Sequence, residues 1–129
     1  MIKEFSLQKD GNVNITKHFK VKEFACKDGS DKILIDLDLV EILETARSYI
    51  NEPIKIVSGY RTEAYNKKIN GAKNSYHCKG QASDISVLVA DLEQLAICVA
   101  VAGAKGIGIY SKDNFIHVDT RINFTYWKQ

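Results

Sequence analysis

GIGIYSKDNFIHVDTR, residues 106–121, reads as two short strands joined by a four-residue turn. Gly106–Tyr110 and Phe115–Arg121 are rich in β-branched and aromatic residues, and SKDN between them is turn-forming. Two strands this close must be antiparallel neighbours, so the sheet cannot be wholly parallel even though helices and strands alternate elsewhere. Upstream strand candidates are IKIVS (54–58), after the single proline Pro53, and ASDISVLV (82–89), after Gly80. Between them lie three helical patterns. Leu37, Val40, Leu43, Ala46 and Ile50 recur at helical spacing behind an Asp36 cap. Thr62 starts a second helix, running to Ile69. Asp91 and Gln94 form a capping box for a third, which stops at Gly103. The expected fold is α+β: an antiparallel sheet of about four strands with helices packed mainly on one face. HFKVKEFAC (18–26) reads as short helical turns capped by Thr16. Residues 1–15 are expected to add a small N-terminal hairpin around Asp10-Gly11.

The chain has 129 residues, 45% hydrophobic and 26% charged, which suits one domain, 1–129, with its own core. A net charge of +2 is too small to argue for nucleic acid. The longest apolar run, Leu95–Ala102, is too short to span a bilayer, and the N-terminal segment carries charges where a signal peptide is apolar. The expectation is a monomer made in the cytoplasm and independent of membranes. Cys26, Cys78 and Cys98 are odd in number and form no CxxC, so neither a disulfide framework nor a thiolate zinc knuckle is indicated. Cys98, among apolar residues, reads as core.

Alternation along FIHVDTR puts Phe115, His117 and Asp119 on one face and Ile116 and Val118 on the other. The same rule on ASDIS groups Ala82, Asp84 and Ser86 opposite Ile85. His77 arrives from the loop SYHCKG before that strand, where Gly80 allows a tight turn. His77, Asp84 and His117 together make two imidazoles and one carboxylate. That set suits catalytic zinc, with the fourth position left to water. Zinc there would lower the pKa of the water and polarise a carbonyl. A strand histidine is also a common structural residue, and spacing leaves both readings open. Cys78 is a poor nucleophile candidate, because in an extended segment it points away from its neighbour His77. His18 has no acidic partner spaced for a site. Arg61, at a strand-to-helix junction, has the planar fork for a carboxylate or carbonyl, or is a solvated helix-start charge. Ser75 is a substrate donor or a loop cap.

SGYRT (58–62), NGAKNSYHCKGQASDI (70–85) and GIGIY…FIHVDTR…W (106–127) together resemble the zinc D-alanyl-D-alanine carboxypeptidase family of peptidoglycan peptidases. The family includes phage endolysin peptidases and shares its fold with the hedgehog domain. SxHxxGxAxD is matched at Ser75, His77, Gly80, Ala82 and Asp84, and the likeness runs from about Thr16 onward. It implies zinc ligands His77, Asp84 and His117, a substrate- or oxyanion-binding Arg61, a substrate-side Ser75 and a late Trp127 beside the site. It implies a peptidoglycan peptide as substrate, cut by a D,D-carboxypeptidase or endopeptidase; with no signal or wall-binding segment visible, a phage or prophage lysis enzyme released to the cell wall is a further expectation. A non-catalytic zinc module of the same fold is the alternative. In some branches a glutamate three residues before the last zinc histidine is the general base, and here that position is Asn114. Asp119 is the expected replacement, either as base or as a carboxylate that orients a ligand. Asp113, in the turn, is the weaker candidate.

Overall fold

A computed structural model describes residues 1–129. The chain opens with β1 (Ile2–Ser6) and one helical turn, α1 (Leu7–Asp10), capped by the Ser6 hydroxyl, which accepts from the Lys9 amide. A short ribbon follows, β2 (Asn14–Thr16) against β3 (Phe19–Lys20), then a 3-10 turn over Val21–Phe24. Strand β4 (Lys32–Asp36) pairs antiparallel with β1. The expected hairpin around Asp10-Gly11 therefore does not form. Asp10 instead closes the α1 turn, its carboxylate accepting from the Ser6 amide, and β1 finds a partner 30 residues downstream. Helical structure in 18–26 is confined to Val21–Phe24. The Glu23 carboxylate accepts from the Lys20 amide there, while Thr16 lies in β2.

The three expected helices form close to the expected ends. They are α2 (Leu37–Ile50), capped by Asp36, α3 (Glu63–Lys68), capped by Thr62, and α4 (Leu92–Ala102), with its Asp91/Gln94 capping box and a left-handed Gly103. These caps satisfy the first amides of each helix, which have no partner within it.

The main sheet has five strands, not four. They are β5 (Lys55–Ser58), β6 (Ala82–Ser86), β7 (Gly106–Tyr110), β8 (Phe115–Asp119) and β9 (Thr125–Lys128), in the order β5-β6-β8-β7-β9. The first four are antiparallel neighbours, but β9 runs parallel to β7, aligning Trp127 with Gly108. β9 was not foreseen. It is exposed and polar by turns, and the free edge of β7 organises it. On one face Ile85, Ile107, Ile109, Ile116 and Val118 bury against Leu39 and Leu43 of α2 and Leu95 and Val99 of α4. Two of the three helices, α2 and α4, thus share one face, in line with helices packed mainly on one face. Cys98 is half-buried at its margin rather than inside it. No helix is long and apolar enough to cross a membrane.

Candidate metal centre

The opposite face of β6 and β8 carries the polar set, and the register explains the meeting. Asp84 lies directly across from His117, so the two side chains stand side by side on one sheet face. His77 reaches them from a 3-10 turn, Tyr76–Lys79, capped by Ser75, whose hydroxyl accepts from the His77 amide. Gly80 ends that turn at φ 76°, and its carbonyl accepts from the Asp36 amide of β4.

His77 Nδ1 lies 2.8 Å from the Gly59 carbonyl, which can only accept, so Nδ1 is assigned the proton and Nε2 a free lone pair. That Nε2 is 3.3 Å from Asp84 Oδ1. His117 Nε2 lies 2.7 Å from Asp119 Oδ2, so the proton is there and Nδ1 is bare, 3.3 Å from the same Asp84 oxygen. Two imidazole lone pairs and a carboxylate oxygen thus face one point, all within 4.8 Å of one another. Such a cluster of acceptors is repulsive unless a cation sits among them. Two histidines and one aspartate fit zinc with an open fourth position. Burial pushes the Asp84 carboxyl up; without an ion, a His117 or His77 ring that turns a proton toward it outweighs this and holds the group well below the usual carboxylate range. For His117 burial works against the charged form, but the Asp119 and Asp84 carboxylates outweigh it and raise its pKa, so without an ion a second proton on Nδ1 is favoured, and an ion would displace it.

Arg61 stands beside the cluster. Its Nη2 donates to Asp84 Oδ2 (3.2 Å), its Nε to Ser58 Oγ, and its Nη1 to Oδ1 of the buried Asn66. Asn66 in turn donates to the Ala72 carbonyl, under Gly71, whose missing Cβ leaves the room it occupies. Neither Asn66 nor Gly71 was singled out by sequence. Both lie in helix and turn positions that look solvent-facing until Arg61 folds over them. Gly59 of SGYR has a similar explanation: a Cβ there would fall 2.7 Å from Phe24 Cα, so the 3-10 turn at 21–24 packs directly on the strand end that holds His77.

Asp119 is fully buried. Its two oxygens accept four hydrogen bonds from Arg121, at 2.6–3.1 Å, as well as that from His117 Nε2. Burial would raise its pKa, but Arg121 and His117 hold it well below the carboxylate range. This geometry speaks against Asp119 as a general base. The carboxylate faces the ring nitrogen turned away from Asp84 and His77, and its lone pairs are occupied. It suits the other expected role, orienting His117.

The cluster opens into a cleft of about 390 Å³ whose walls include Arg61, Ser75, Tyr76, Arg121 and Trp127. Asp84 is the one acidic side chain lining it; Asp113 and Asn114 are not among the lining residues. Asn114 holds a left-handed turn position, φ 56°, which asparagine adopts readily and which ends the 111–114 turn. Trp127 packs tilted against the His117 ring, 5.3 Å between centroids, and donates from Nε1 to Tyr110 Oη. A Cβ on Gly108 would come 2.3 Å from that indole. Gly108→Ala is therefore expected to tilt the indole into solvent, at a cost of about 1–3 kcal/mol. Trp127 is the only tryptophan, so a red-shifted emission checks this, and an unchanged spectrum would contradict it.

Two other residues lie elsewhere. His18 pairs with Glu44 of α2, its Nδ1 2.6 Å from the carboxylate, so it has an acidic partner after all, one too far along the chain for spacing to show. Cys78 is half-buried, and burial pushes its thiol up, away from nucleophilic use.

The fold and the His-Asp-His set define a metallopeptidase-like centre, and the comparison with known families agrees. A model of the Peptidase M15 family matches residues 17–119, and the chain belongs to that family. The peptidoglycan L,D-endopeptidase MepK of Escherichia coli K12 is 35% identical over 74 residues, 54% of this chain and 41% of that protein. A probable peptidoglycan L,D-endopeptidase MepK of Haemophilus influenzae is 35% identical over 83 residues, 60% of this chain and 45% of its own. The chain spans less than half the length of these curated relatives.

Proposed function

We propose that the chain is a zinc-dependent peptidoglycan peptidase, hydrolysing an amide bond of the murein stem peptide or cross-link at the cell wall. The observation that carries this reading is the convergence of His77 Nε2, Asp84 Oδ1 and His117 Nδ1 on one point of an open cleft. These three would hold zinc, which supplies Lewis acidity toward a carbonyl and a strong nucleophile at neutral pH. The chain's own side chains do the rest. Arg61 uses three of its five N–H groups on Ser58, Asn66 and Asp84. Those left over are free to bind the substrate carbonyl oxygen as negative charge develops on it. Asp119 keeps the His117 proton on Nε2. Ser75 and Trp127 form part of the wall against which the peptide lies.

The names of the relatives favour an endopeptidase over a D,D-carboxypeptidase. A phage lysis enzyme and a cell's own wall-remodelling enzyme would perform the same hydrolysis, and the relatives named come from bacteria. Digestion of purified murein is expected to give new peptide termini by mass spectrometry. Chelation should abolish them and added zinc restore them. The mass of the new fragments identifies the bond.

One observation favours a second reading, a non-catalytic zinc module: no acidic side chain other than the ligand Asp84 lines the cleft, so no carboxylate there is free to take a proton. The same digestion separates the two. One zinc per chain with unaltered murein would favour the module and overturn the peptidase.

A further inference from the structure

Arg121 belongs to no part of the chemistry described so far, yet it is among the most constrained side chains in the cleft. Its backbone N–H and Nε donate to Asp119 Oδ1 at 3.0 and 2.9 Å. Nε and Nη2 donate to Oδ2 at 3.1 and 2.6 Å. The guanidinium carbon lies over two rings, 4.8 Å from the Tyr76 centroid and 5.2 Å from that of Trp127. These contacts fix it from both sides. Tyr76 belongs to the turn that carries His77, and Trp127 to the edge strand β9, so the arginine ties two separate segments to one carboxylate.

We propose that Arg121 is a positioning residue for the metal centre: by fixing and charge-compensating Asp119, it locks His117 in the tautomer that presents a bare Nδ1 to the ion. The physical reason is a contest over one proton. His117 Nε2–H and Asp119 Oδ2 are 2.7 Å apart. An aspartate free to rotate would leave the neutral ring to distribute its proton between two nitrogens. A protonated Nδ1 cannot ligate. Arg121 occupies the remaining lone pairs of Asp119 and keeps its oxygen trained on Nε2. A lysine could keep the charge but not the fork, and would not stack as guanidinium does.

This inference rests on the zinc reading above, but its test does not depend on peptidase activity. In metal-free protein at alkaline pH, where the ring is neutral, nitrogen NMR of His117 reports the tautomer directly. Zinc affinity is read separately by competition with a chromogenic chelator. Wild type should show one tautomer, protonated at Nε2. Arg121→Ala should show a mixture and bind zinc about 10–100-fold more weakly, the loss typical of a residue behind a ligand. Arg121→Lys should fall between, and it serves alone if the alanine variant does not fold. Gly106→Ala disturbs the same carboxylate from the other side, since its Cβ would fall 2.1 Å from Asp119 Oδ1, and should reproduce the tautomer mixture with Arg121 intact. A folded Arg121 variant with wild-type tautomer and wild-type affinity would overturn the proposal, even if its melting temperature fell. Loss of murein digestion with both readouts unchanged would count against the proposal too, and would direct Arg121 to substrate instead.

Discussion

Asp84→Asn is expected to release zinc from the chain and reduce murein digestion to background. Asp84 is the hub of the centre, 6% exposed, with Arg61 Nη2 at 3.2 Å and the bare nitrogens of His77 and His117 each at 3.3 Å. Asparagine is the same size, so no cavity is opened. What disappears is the single negative charge that faces the two bare nitrogens and the guanidinium. A cation placed there would meet two neutral rings and an arginine with nothing to offset it. The fold should weaken as well, because stripping one partner from a buried ion pair costs about 3–5 kcal/mol. Elemental analysis after dialysis, with a circular-dichroism melt in parallel, measures both effects. A variant that kept one zinc per chain would remove Asp84 from the ligand set.

Gly80→Ala should be nearly as damaging, though residue 80 touches no ligand atom. Gly80 sits at φ 76°, where a side chain costs about 1–2 kcal/mol. There is no room for one either. An added Cβ would lie 2.5 Å from Leu34 O, 2.6 Å from Leu34 C and 2.8 Å from Leu34 Cβ. Those are mostly backbone atoms of β4, which cannot swing aside, so overpacking adds about 1–3 kcal/mol. Relief comes by moving the Tyr76–Lys79 turn, and His77 moves with it. The expected result is a lower melting temperature together with weaker zinc binding. A stable variant with wild-type zinc affinity would show that the turn shifts without carrying the histidine.

Gly80 also shows where the reading of sequence stops. SYHCKGQASD called for a tight turn there, and the turn is where it was expected. The strand pressed against it, KILID, was missed. Five residues with Ile33 and Ile35 alternating do not stand out from the amphipathic start of α2, and their partner β1 is about 30 residues away. β9 escaped notice for the same reason, since a short exposed strand is defined by the edge it joins rather than by its own pattern. The three helices were legible because caps and apolar periodicity are local signals, contained within one or two turns.

For the centre itself, alternation and motif spacing named His77, Asp84 and His117 correctly as one group of neighbours. A strand's period of two dictates which side chains share a face, but the pairing of β6 with β8 that sets Asp84 opposite His117 is a long-range contact outside the 106–121 hairpin. Which nitrogen of each imidazole faces Asp84 is not encoded that way. It follows from the Gly59 carbonyl and the Asp119 carboxylate, contacts 18 residues and two residues away that only the folded chain aims. The direction of the Asp119 carboxylate is set at the same level. Spacing left it free to be a base or an orienting group. Burial under Gly106 and the grip of Arg121 turn its oxygens toward Nε2, because hydrogen-bond direction is a property of three-dimensional packing, which sequence distance does not record.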